Sequence, residues 1–110
     1  MMKMSRFAMV ATLVSGLGFA GSAMALDGKA LYEDPMKGGC FTCHGKDAKT
    51  PLMPIYPKLA GQTKEYLIQQ FNDIKSGARS NGMTAAMKGI TGMVSDEEVA
   101  AIAEYLSGLN

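Results

Sequence analysis

The stretch Cys40-Phe41-Thr42-Cys43-His44 holds both cysteines of the chain and its single histidine. The pattern C-x-x-C-H reads as a c-type haem attachment site. Two thiols can add across the two haem vinyl groups, and the resulting thioethers hold the group permanently. Two intervening residues in a helical turn bring both sulfurs to one edge of the macrocycle. His44 follows at once, which puts its imidazole under the iron as the proximal ligand. Two other chemistries use similar residues. A thioredoxin-like redox pair needs a strand before the motif, whereas Pro35-Met36-Lys37-Gly38-Gly39 is turn material. Zinc needs three or four good ligands, and two cysteines with one histidine are a poor supply. Attachment of one haem c is the reading that uses every residue of the motif.

The elements that must position this motif begin after a leader. Lys3 and Arg6 form a basic start, Phe7 to Ala20 is apolar, and Ala23-Met24-Ala25 is an A-x-A cleavage site. That is a secretory signal peptide over residues 1–25; its apolar run is too short and its flanks are wrong for a spanning helix. The reading leaves no stable membrane anchor, one domain over residues 26–110, and a periplasmic location. Free thiols there would oxidise, which suits cysteines destined for thioethers. The chain has 110 residues, with 11 basic and 10 acidic side chains and a formal charge of +1. Removing Lys3 and Arg6 makes that −1, without a basic run or interleaved aromatic residues, so nucleic acid is not expected as a partner. A domain of this size has a marginal apolar core. A buried haem would complete it, and the chain without haem is expected to be largely unfolded.

Nothing after the leader reads as a strand, and the expected fold is all-α. Asp27 caps a short helix over Gly28 to Glu33, and a helical turn carries Cys40 to His44. Gly45 to Gly61 is loop, broken by Pro51, Pro54 and Pro57. It is expected to wrap the His44 side of the haem and to supply, at or near Pro54, the carbonyl that fixes the imidazole tautomer. Thr63 caps a helix to about Ser76, closed by Gly77, with Leu67, Phe71 and Ile74 on its buried face. Ala78 to Val94 is irregular, with a turn at Asn81-Gly82 and a helical turn at Met83 to Lys88. Ser95-Asp96-Glu97-Glu98 is a capping box. The helix it opens buries Val99, Ile102, Ala103 and Leu106, and Gly108 ends it.

The sixth iron ligand separates the functions. An open face would bind gases or peroxide, whereas a filled face leaves electron transfer. His44 being the only histidine, a thioether is the obvious second ligand, and Met/His ligation raises the reduction potential. Met36 lies too near the attachment site to reach the opposite face, and Met53 belongs to the loop on the His44 side. Met83, Met87 and Met93 remain, although methionine at helical spacing is often core filler.

Taken together the motifs resemble those of class I c-type cytochromes, nearest to single-domain relatives of the c4 type and small c553-type carriers. The resemblance rests on Cys40-x-x-Cys43-His44-Gly45, on Tyr56-Pro57-Lys58-Leu59-Ala60-Gly61-Gln62, and on Tyr66-Leu67 through Phe71 to Gly77 and Arg79. It continues with Met87, eight residues before Ser95, and with Ile102-Ala103-Glu104-Tyr105-Leu106. It implies three main helices wrapped around one haem, with His44 as proximal ligand and Met87 as distal ligand; Met83 is the fallback. It further implies that Gly28 lets the first helix cross close to Tyr105. Two-domain members of the c4 type have an internal haem partner, and one motif here implies none.

The resulting expectation is an electron carrier, not an enzyme, cycling between Fe(II) and Fe(III) and exchanging electrons with protein donors and acceptors such as a dehydrogenase or terminal oxidase. Lys37, Lys46, Lys49 and Lys88 are expected around the haem edge, opposite the acidic last helix, and would steer acidic partners. Arg79 is expected to meet a haem propionate. The alternatives are a dedicated cytochrome subunit of a periplasmic dehydrogenase, or a gas-binding or peroxidatic protein with an open sixth site.

Overall fold

In the computed structural model, residues 26–110 are described, and the leader read at 1–25 lies outside them. Five helices follow in order: α1 Gly28–Tyr32, α2 Cys40–His44, α3 Lys64–Ser76, α4 Thr84–Thr91 and α5 Asp96–Ser107, with a 3-10 turn at Pro35–Lys37 between α1 and α2. Among the described residues there is no strand, and no helix is long and apolar enough to cross a membrane. The fold is all-α, as expected.

Side-chain oxygens start most of these helices by satisfying first-turn N–H groups. The Asp27 carboxylate accepts from Ala30 N–H at 3.1 Å, and the Thr63 hydroxyl accepts from Tyr66 N–H at 3.3 Å. At α5 the capping box is complete: Glu98 N–H donates to Ser95 Oγ at 3.2 Å and Ser95 N–H donates to Glu98 Oε1 at 2.9 Å. That second bond, with the ammonium of Lys37 behind it, holds the Glu98 carboxyl below the usual glutamate range.

α4 departs from the sequence reading. It is a full helix of eight residues where a single turn was expected, and no side chain caps it. Gly89, Ile90 and Thr91 are poor helix formers, so packing holds what propensity does not. α4 lies against α3, with Thr84 and Thr91 buried, and the Thr91 hydroxyl donates to the Lys88 carbonyl at 2.6 Å.

α5 is the hub, contacting both α1 and α3. Its residues Val99, Ile102 and Leu106 are buried with Tyr32, Ala48 and Val94 in one cluster. Each large apolar side chain there contributes about 1.5–3 kcal/mol through removal from water. The crossing of α1 and α5 depends on Gly28: a Cβ there would overlap the Ala101 carbonyl and lie 2.8 Å from Tyr105 Cβ. The close approach also brings the Tyr32 and Tyr105 rings to a centroid distance of 6.1 Å.

Candidate haem site

Residues of α2, α3, α4 and α5 line a largely apolar cleft of about 270 Å³. Cys40, Cys43 and His44 line the α2 side, and Met83, Met87 and Ile90 line the α4 side. Leu67 and Phe71 of α3, with Ile102 and Leu106 of α5, form its base.

The α2 wall is fixed from behind. The fully buried Tyr32 donates its hydroxyl hydrogen to the Gly45 carbonyl at 2.6 Å, and burial raises its phenol pKa strongly, so that it stays a donor. Gly45 ends α2 with φ +92, and a Cβ there would overlap the Thr50 carbonyl. The chain then turns back under the helix, where Leu52 N–H donates to the Cys43 carbonyl at 2.9 Å.

His44 is buried, and its Nδ1 lies 3.0 Å from the Pro57 carbonyl. A carbonyl only accepts, so Nδ1 carries the proton and Nε2 keeps its lone pair. Burial pushes the imidazole pKa down, with the Pro57 carbonyl opposing it. The neutral form that a metal requires is therefore favoured. The carbonyl expected at or near Pro54 is thus that of Pro57, three residues further on. The Tyr56 ring stands beside the imidazole at a centroid distance of 6.4 Å.

The two thiols are free and half-buried, one turn apart on α2. Burial pushes the Cys40 thiol up, and a charge on Cys43 would push it further. A disulfide oxidoreductase needs the opposite shift to make a thiolate. Among the described residues, no group of three or more His, Cys, Asp or Glu is gathered to hold a metal ion. What is present fits a haem: an apolar slot, two thiols on one edge and an imidazole with its free nitrogen reserved.

The methionines separate cleanly. Met87 and Met83, four residues apart on one face of α4 and its N-terminus, both line the cleft. Met87 is half-buried and Met83 is 45% exposed. Met93, Met53 and Met36 lie outside the lining and are exposed. Arg79 also reaches the cleft, held by Gln70 Oε1 at 3.0 Å and Asn81 Oδ1 at 3.4 Å. No carboxylate pairs with it among the described residues. Lys37 instead forms an ion pair with Glu98 at 3.0 Å, which ties it to α5. Sequence reasoning missed Tyr32 and Pro57 as supports of the site; a single tyrosine and one proline among several carry no distinguishing signal.

An all-α domain with such a cleft and motif is a c-type haem scaffold. The family model for Cytochrome c matches residues 25–110. Cytochrome c4 of Pseudomonas aeruginosa is 37% identical over 99 residues, 90% of this chain and 47% of that protein. The thiosulfate dehydrogenase electron acceptor of Stutzerimonas stutzeri is 37% identical over 100 residues, 87% of this chain and 45% of that protein. The crystal structure of reduced recombinant cytochrome c4 from Pseudomonas stutzeri superposes with a TM-score of 0.64 at 29% identity, covering 76% of this chain and 46% of that one. The chain belongs to the cytochrome c family, of c4-like type. It spans about half the length of these relatives.

Proposed function

We propose that this chain is an exported, periplasmic carrier of single electrons, with one haem c attached through Cys40 and Cys43 and ligated by His44 and Met87. When bound, the haem supplies a one-electron Fe(II)/Fe(III) couple. The residues supply everything else. Cys40 and Cys43 fix the edge, Pro57 holds His44 in the ligating tautomer, and the α4 thioethers stand across the cleft from it. Arg79, a cation without a carboxylate partner among the described residues, is placed to meet a propionate. The observation that carries the reading is one cleft lined both by a buried, tautomer-locked imidazole and by Met87. Export rests on the leader signature at residues 1–25.

The test is the visible spectrum of the reduced holoprotein with and without CO. A low-spin haem-c spectrum unmoved by CO is the expected result. A clear CO shift would replace electron carriage by the gas-binding or peroxidatic reading.

A second reading keeps the cofactor: a dedicated acceptor for a dehydrogenase, favoured by the printed name of the S. stutzeri relative. Stable co-purification with a catalytic subunit would select it over a free shuttle.

Partner contact is proposed at the cleft mouth, where Ile55 is 56% exposed and Met83 45% exposed. Lys46, Lys49 and Lys88 are exposed and outside the described ion pairs, unlike Lys37. Transfer to an acidic acceptor is therefore expected to slow several-fold as salt rises from about 0.01 to 0.15 M. A rate that ignores salt would remove lysine steering and leave an apolar contact.

A further inference from the structure

The loop from Gly45 to Ala60 holds the histidine acceptor at Pro57, and one residue ties its two ends together. Ala48 is the only non-glycine residue with positive φ among the described residues, at +60°. It is also fully buried, its methyl lying in the same cluster as Tyr32 and Leu106. In that conformation its N–H donates back to the Gly45 carbonyl at 3.1 Å. Its own carbonyl points the other way and accepts from Leu59 N–H at 2.9 Å and Ala60 N–H at 3.1 Å. Gly45 follows His44, and Leu59 stands two residues after Pro57. The bonds form a closed ring: His44 to Gly45 through the chain, Gly45 to Ala48, Ala48 to Leu59, and Pro57 back to His44 Nδ1 at 3.0 Å.

The turn around Ala48 is braced from outside. Asp47 Oδ1 accepts from Lys49 N–H and Thr50 N–H, each at 2.9 Å, and Asp47 Oδ2 accepts from the Thr50 hydroxyl at 3.1 Å. An L-residue adopts this left-handed backbone reluctantly, and a β-branched one hardly at all. Glycine would adopt it freely but would leave the buried methyl site empty. Alanine is thus a compromise between backbone direction and packing. Were residue 48 to relax to negative φ, its carbonyl would turn from Leu59 and Ala60, and the Pro57 carbonyl would lose its register under His44.

We propose that Ala48 is a positioning residue for the proximal histidine, and through the Pro57–His44 bond a determinant of the reduction potential. The proposal rests on His44 being an iron ligand. A histidine ligand that donates its second N–H to a carbonyl becomes a stronger base, and a more basic ligand favours the oxidised state. Loosening the acceptor should therefore raise the potential.

The experiment is a spectroelectrochemical titration of the holoprotein and of its Ala48→Val and Ala48→Gly variants, with thermal melts alongside. At one fixed ambient potential, A48V is expected to raise the reduced-to-oxidised ratio by about threefold or more while its spectrum stays low-spin. NMR should show faster exchange of His44 Nδ1–H in the same variant. A48G keeps the backbone direction, so its ratio should stay within about twofold of the native protein while its melting temperature falls. If A48V fails to retain haem, Asp47→Ala loosens the same turn from an exposed position and should shift the ratio in the same direction. An unchanged ratio in A48V or D47A, even with a lower melting temperature, would reduce Ala48 to core packing. Failure of the ligand reading looks different: the native holoprotein would itself bind CO, or His44→Ala would keep the native low-spin spectrum.

Discussion

Met87→Ala is expected to turn a CO-inert protein into one that binds CO stoichiometrically when reduced. Met87 is the half-buried thioether that lines the same cleft as His44. Alanine removes the sulfur and leaves the sixth position to water, which CO displaces. Met/His ligation raises the potential, so the variant should also be harder to reduce. The expected fall is on the order of 0.1 V, roughly fiftyfold in the reduced-to-oxidised ratio for one electron. Met83→Ala is the control. Its side chain is one turn away at the exposed mouth, and its loss should leave both the CO response and the potential nearly unchanged. The reverse pattern, with M83A opening the site and M87A silent, would transfer the ligand role to Met83.

Replacing both cysteines by alanine is expected to abolish covalent haem attachment and, with it, most of the helical structure. The centre of the domain is a cleft, and Leu67, Phe71, Ile102 and Leu106 face it. Without a flat apolar body in the cleft, Leu67 and Phe71, which are only partly buried, would keep facing water, in a chain whose size already makes the core marginal. Haem binding is therefore folding free energy, as for other small domains organised around a bound group. Far-UV circular dichroism of the C40A/C43A protein should lose more than about half of the holoprotein's helical signal, and urea should produce no cooperative transition. A native-like spectrum with a sharp urea midpoint would show that the protein alone suffices.

The sequence was most legible where a local chemical rule decides the structure. Asp27, Thr63 and Ser95 cap their helices as expected, because each side-chain oxygen needs only an N–H within its own first turn. The helical turn from Cys40 to His44 was legible for the same reason: five consecutive residues place both cysteines and the histidine on it. α4 was not, because Met83 offers no cap and Gly89 to Thr91 argue against a helix; contact with α3 decides it. The histidine acceptor was read only as at or near Pro54, and it is Pro57 three residues on, since both stand in one proline-rich loop. The choice is made by Ala48, whose positive φ leaves no mark in an alanine. Lys37 was read as part of the haem rim, and only the fold brings it to Glu98, 3.0 Å away.

The close crossing of α1 and α5 sets an order of events as the chain is made. Gly28 meets Ala101 and Tyr105, near the far end of the sequence, so the crossing cannot form until almost the whole chain exists. Tyr32 rides on α1, and its bond to Gly45 is braced by that crossing only then. Loop closure over such a separation comes late in folding. Until then α2 lacks its support, and Cys40 and Cys43, half-buried in the finished domain, remain open to whatever must join them to haem.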